Sequence, residues 1–170
     1  MGLRFIRLFI YSVISFILEK IKKIYFTTKY YNNSLRVSPP SRSYDMNNVP
    51  LLLELEDKNE KRLELLNRFH KNIWKLDNIG KKHLIELNKF NWLSQLDIKN
   101  QKNLVKNIIL SWLKKNQNYN EKNWHHTITA NRIIFLICCS HFTIRHDDMV
   151  YRAAITNNIV KQALHLNKNL

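Results

Sequence analysis

Two glycines in 170 residues, Gly2 and Gly80, constrain this chain more than any other feature. Sandwiches, barrels and nucleotide-binding turns pass through positive φ at their corners, where glycine alone sits without strain. Neither G-x-G-x-x-G nor G-x-x-x-x-G-K-[ST] can be assembled from these two positions, so a Rossmann or P-loop phosphate cradle is excluded. Only three prolines are available as other turn formers. Helices need few of either residue. With 45% apolar and 24% charged residues the chain is globular in composition, and the expected class is all-α.

The net charge of +15 invites a nucleic-acid or membrane reading. Two observations weaken the first. Lys, Asn and Ile are abundant together, as a compositional bias would make them, and no block of five like charges forms a basic tail. Residues 1–44 carry 8 basic side chains and 1 acidic one, residues 45–79 carry 6 and 7, and residues 80–170 carry 14 and 5. A solvated basic surface therefore fits better than a nucleic-acid interface, which stays the weakest alternative. The two cysteines, Cys138 and Cys139, are adjacent inside an apolar run and match neither a disulfide framework nor a zinc-ligand pair. They read as buried thiols on a helix.

Along the chain, residues 3–26 form an apolar, aromatic leader with basic residues at both ends. Its uncharged centre, Leu8–Leu18, is short of the roughly 20 residues a spanning helix needs. Three readings fit: an interfacial anchor, an uncleaved signal-like anchor, or a first helix packed on the body. Lys20, Lys22 and Lys23 would suit an anionic membrane surface. Residues 27–59 read as a linker, with turn chemistry at Tyr30–Ser34, Pro39–Ser41 and Asn47–Pro50. From residue 60 the spacing is helical. Leu63, Leu66 and Phe69 mark a short helix, and Leu84, Leu87, Phe90, Leu93 and Leu96 repeat at three. Further helices are expected over about 100–115, 124–143 and 147–168, with Asp147-Asp148 at the start of the last. Polar connections between them imply helical hairpins.

Candidate chemistry is sparse. His125 and His126 point about 100° apart on a helix and cannot share a metal ion as an i, i+4 pair does. They and His141 read as solvated or helix-start residues, and His146-Asp147-Asp148 as a capping cluster. No nucleophile stands beside a base, and neither a metal nor a cofactor is expected. The aromatic residues carry more. Phe90-Asn91-Trp92-Leu93 with Leu96 gives F-x-W-L-x-x-L. Ser111-Trp112-Leu113, then Tyr119 and Trp124, then Asn131-Arg132-Ile133-Ile134, then Gln162-Ala163-Leu164-His165-Leu166 follow in order.

With Pro39-Pro40 ahead of it, this series resembles the N-terminal helical region of the heparinase II/III-like polysaccharide lyases, over about residues 37–170. The resemblance implies an incomplete (α/α) toroid over residues 60–170, made of stacked hairpins whose inner helices line a sugar cleft. It also implies β-elimination on acidic, uronic-acid-containing polysaccharide, in which an Asn or His neutralises the sugar carboxylate while Tyr and His move the proton. The Asn-His segment, the catalytic Tyr and the β domain with its His have no counterpart in these residues. The chain is thus expected to be an opening portion, inactive alone, whose partner is acidic polysaccharide and a separate chain carrying the remaining lyase part. Ser41–Asp45 also departs from the family's glycine-containing stretch.

Trp92, Trp112 and Trp124 read first as core and, with Tyr119, second as cleft residues. Arg132, directly before an apolar run, requires a carboxylate, with Asp97 and Glu86 nearest by hairpin logic, or an open cleft. The runner-up function is a membrane-surface helical adaptor. Compartment and substrate are left open.

Overall fold

The computed structural model describes residues 2–38, 74, 80–96 and 98–169. Within them every regular element is a helix, as the glycine count implies, and no strand is present among the described residues. The elements are α1 (Gly2–Thr27), α2 (Lys29–Ser34), α3 (Lys81–Asn88), a 3-10 turn (Asn91–Gln95), α4 (Ile98–Lys115), α5 (His126–Cys138), a second 3-10 turn (Ser140–Phe142) and α6 (Met149–Asn167). The expected helix at Leu63, Leu66 and Phe69, the Pro39-Pro40 pair, the Ser41–Asp45 stretch and Asp97 lie outside the described residues.

Helix α5 packs on α6, and α4 packs on α6 and on the second 3-10 turn. Arg132 meets Gln162 while Phe142 meets Tyr151, so α5 and α6 run antiparallel as a hairpin. The core between them holds Val105, Ile108, Ile109, Trp112, Leu136 and Tyr151, all nearly inaccessible. Asp148 caps α6 by accepting the Tyr151 N–H at 3.0 Å and pairs with Lys106 at 2.6 Å, which ties the helix start to α4.

Two expectations change in detail. The apolar repeat at three does not run on as one helix. It breaks at Phe90, whose backbone is left-handed (φ 62°), and continues as the 3-10 turn. Three residues per turn is the 3-10 period, so Phe90, Leu93 and Leu96 share one face there. The non-glycine strain at Phe90 is held by packing: its ring is fully buried against Trp74, Trp92 and Trp112, with ring centroids 5.4–6.0 Å apart. Second, Tyr30–Ser34, whose residues read as a turn, forms most of α2. Thr28 caps it by accepting the Tyr31 N–H at 3.1 Å, and burial of Tyr31, Asn32 and Leu35 fixes it to the body.

Candidate functional site

Trp112, Arg132 and Gln162 of the ordered series converge on one buried network. Asn88, the last residue of α3, is its centre. Its side-chain oxygen accepts the Trp112 indole N–H at 2.7 Å, and its backbone carbonyl accepts from Arg132 Nη1 at 2.9 Å. Arg132 Nε donates to Gln162 Oε1 at 2.7 Å and Nη2 to Thr129 Oγ1 at 3.3 Å, while the guanidinium lies 4.4 Å from the Trp112 ring centroid. Gln162 in turn donates to Asn158. The Trp92 indole N–H closes on the Leu87 carbonyl at 3.0 Å.

Arg132 is wholly buried, and its partners are neutral. The expected carboxylate is replaced by two amide oxygens, a hydroxyl and an aromatic face. Glu86 bonds Lys89 at 2.7 Å instead. Helix geometry explains the substitution: the side chain on α5 faces α6 and the end of α3, where carbonyl groups left free by the helix terminus need donors. Burial pushes the Arg132 pKa down to about 9, which leaves the group charged at neutral pH. With no exposed surface, Arg132, Trp92 and Trp124 line no cleft among the described residues.

A second cluster joins α1 and α2 to α6. Phe26, Tyr31, Tyr119, Trp124 and His165 pack edge to face or tilted, with centroids 4.6–6.5 Å apart. Tyr31 O–H lies 2.7 Å from His165 Nδ1 and accepts from Asn169 Nδ2 at 3.0 Å. Burial, with a smaller contribution from Lys22, pushes the His165 pKa down to about 4, and the ring is neutral. Tyr119 is half-buried; its backbone N–H donates to Asn32 Oδ1 at 3.0 Å, and burial raises its phenol pKa. Asn32, Asn88 and Thr129 are not singled out by the sequence motifs. A polar residue within an apolar helix face is the signal that could have found them.

Beside this cluster lies an open groove of about 690 Å³, lined by Leu35, Arg36, Leu113, Asn118, Asn157 and Lys161 among others. Lys161 donates to the Gln117 carbonyl and to Asn118 Oδ1, and sits 5.8 Å from the Trp124 ring centroid. Burial first, and Arg36 second, lower its pKa. Two like charges and several carboxamides over an apolar floor suit an anion with hydroxyl groups.

Elsewhere the chemistry is thin. His125, His126 and His141 are exposed, and among the described residues no cluster could hold a metal ion. His146 is buried and accepts the Asp148 N–H at 3.1 Å, consistent with a capping cluster. Cys139 is buried and its thiol is pushed up to about 12, while Cys138 is half-buried; both are free. Lys20 and Lys22 are exposed on α1, and Lys23 pairs with Glu121 at 2.7 Å. No family model, no curated protein and no solved structure matches this chain.

Proposed function

We propose that these helices are the opening hairpins of a heparinase II/III-like (α/α) toroid, the framework of a lyase acting on uronic-acid-containing polysaccharide. The observation that supports this reading is the convergence of the ordered series. Residues from W-L, N-R-I-I and Q-A-x-H-L form one connected set of buried hydrogen bonds through Asn88, and Phe90 of F-x-W-L packs on it against Trp112, although the elements are far apart in sequence. A series of side chains that must meet to satisfy one another is a framework signature, and the framework is what the resemblance concerns.

The chemistry of β-elimination needs a group that neutralises the sugar carboxylate and a base and acid that move the proton. Neither buried network offers an accessible acid–base pair. Within this reading the contribution of these residues is support and substrate contact, and the groove at Arg36 and Lys161 is the surface suited to a uronate.

Calorimetric titration of the chain with an acidic oligouronate and with a neutral glucan oligomer tests the proposal. Binding is expected for the acidic sugar, weakened about fivefold by Lys161→Ala, as loss of one partly screened charge contact implies. No ultraviolet-absorbing unsaturated product is expected from the chain alone. Equal affinity for both sugars would remove the uronate reading, and no binding of either would remove the carbohydrate reading. An unsaturated product would show that catalytic residues lie within this chain.

A further inference from the structure

The largest exposed apolar surface in the described residues is on α1. From Arg4 to Lys22 every side chain is exposed, including Phe5 at 80%, Phe9 at 69% and Leu8 at 67%. The helix is about 39 Å long at 1.5 Å per residue. At about 100° per residue its side chains separate into two faces. Ile6, Ile10, Val13, Ile17, Ile21 and Ile24, at steps of three and four, form the middle of a broad apolar face, with Phe9 and Phe16 on one flank and Ile14 and Leu18 on the other. Arg4, Ser12, Ser15, Glu19, Lys22 and Lys23 occupy the opposite face together with Phe5, Leu8, Tyr11 and Phe26, and Arg7 falls at the boundary beside Ile14 and Leu18.

How α1 is attached to the body decides which face is free. Phe26 is buried in the Tyr31, Tyr119 and His165 cluster, and Lys23 bonds Glu121 at 2.7 Å. Both residues lie on the polar side of the helix by the same angular count. The body is therefore joined to the polar face, and the apolar face points away from it. An interfacial membrane helix requires this orientation, because the apolar face can enter the acyl boundary without the body in between.

Charge identifies the surface. Glu19 is the sole acid of α1, and Lys23 lies 3.6 Å from it, while Arg4, Arg7, Lys20 and Lys22 have no acidic partner on the helix. Lys20 falls inside the apolar face, between Phe9 and Val13, with its ammonium 5.4 Å from the Phe16 ring centroid, and its long apolar stem can carry the charge from there to the headgroup phosphates. Among the described residues no helix is long and apolar enough to cross a membrane. The apolar face is also wider than the narrow seam of a two-stranded coiled coil, and Lys20 interrupts the repeat such a seam would need. We propose that α1 lies flat in the surface of an anionic lipid bilayer, its Ile/Phe face in the acyl boundary and its basic residues among the headgroups, with the helical body held on the aqueous side. The proposal is independent of the lyase reading.

Co-sedimentation of the 170-residue chain with phosphatidylcholine vesicles, alone or mixed with phosphatidylglycerol, tests it. Binding is expected to be about tenfold or more stronger to the mixed vesicles and to weaken as salt rises. Ile10→Asp with Ile17→Asp should reduce binding about tenfold or more, while circular dichroism and tryptophan emission of the lipid-free chain stay unchanged, since both positions are exposed. Phe9→Trp should add quenching by brominated acyl chains above the wild-type background, and Ser15→Trp, near the centre of the polar face, far less. Equal binding to both vesicle types without salt dependence would overturn the proposal, as would binding untouched by the double Asp variant. Equal quenching at both tryptophans would place lipid on all sides of α1 and overturn the interfacial orientation. A lipid-free dimer that the double variant disperses, with no vesicle binding, would assign the face to a second copy instead.

Discussion

Arg132 shows how a full positive charge is held inside a helical hairpin without an acid. Each of three guanidinium nitrogens has an acceptor, and the ring of Trp112 covers the plane of the group. Truncation leaves the Asn88 carbonyl and Gln162 Oε1 without their donor and opens a cavity. Arg132→Ala is expected to cost about 3 kcal/mol or more in denaturant unfolding. Arg132→Lys should recover only part, because a point ammonium cannot reach three acceptors spread around a planar fork. A variant as stable as wild type would show that the network contributes little.

His165 is the other residue whose surroundings set a measurable property. Its pKa is about 4 when folded and 6.5 when unfolded, because burial penalises the imidazolium. The unfolded chain thus takes up a proton that the folded chain refuses, and stability falls as pH drops from about 6.5 to about 4. His165→Gln should flatten the melting temperature over that window. Some slope will remain, since burial also lowers the His146 pKa. Asp148, held at about 2 by Lys106 and by backbone N–H groups, loses its contribution only as pH falls below the 3.8 of a free carboxyl, outside that window.

At the scale of elements, the start of α6 is the junction to test. Asp148 both caps the helix and pairs with Lys106 of α4. Asp148→Ala removes both contacts and is expected to lower the melting temperature by a few degrees. Asp148→Asn should keep most of it, because the amide oxygen still accepts the Tyr151 N–H and a partly solvated ion pair adds little. Equal losses would assign the effect to the charge. The break at Phe90 follows the same logic of one local feature joining two elements. A left-handed residue turns the chain from α3 into the 3-10 turn, and the ring on that residue fills the space between three tryptophans.

Across the whole molecule, α1 and the body are separable in energetic terms. Burial begins only at Phe26, and Lys23–Glu121 is the ion pair that joins the exposed part of α1 to the body. Deleting residues 2–21 is therefore expected to leave a cooperative melt within a few degrees of the parent while abolishing vesicle binding. Loss of the cooperative transition would mean that α1 supports the body by contacts beyond its last turn.

The sequence by itself determined that the described chain is helical, because two glycines cannot serve the corners of a sheet protein. It also located α4 and α6 to within two residues, since apolar steps of four and an acid pair at a helix start are local signals. The leader was legible as a helix for the same reason. Tertiary structure decided the rest. Whether a repeat at three runs as one helix or breaks depends on what fills the space beside Phe90, and that includes Trp74 and Trp112 from other parts of the chain as well as the neighbouring Trp92. Tyr30–Ser34 carries turn residues, yet it is helical because Tyr31 and Asn32 find partners in Asn169, His165 and Tyr119. The need of Arg132 for a partner could be read from its apolar surroundings. Its identity as Asn88, Gln162 and Thr129 could not, because a buried cation accepts any well-placed oxygen, and only the packing of three helices determines which oxygen is near.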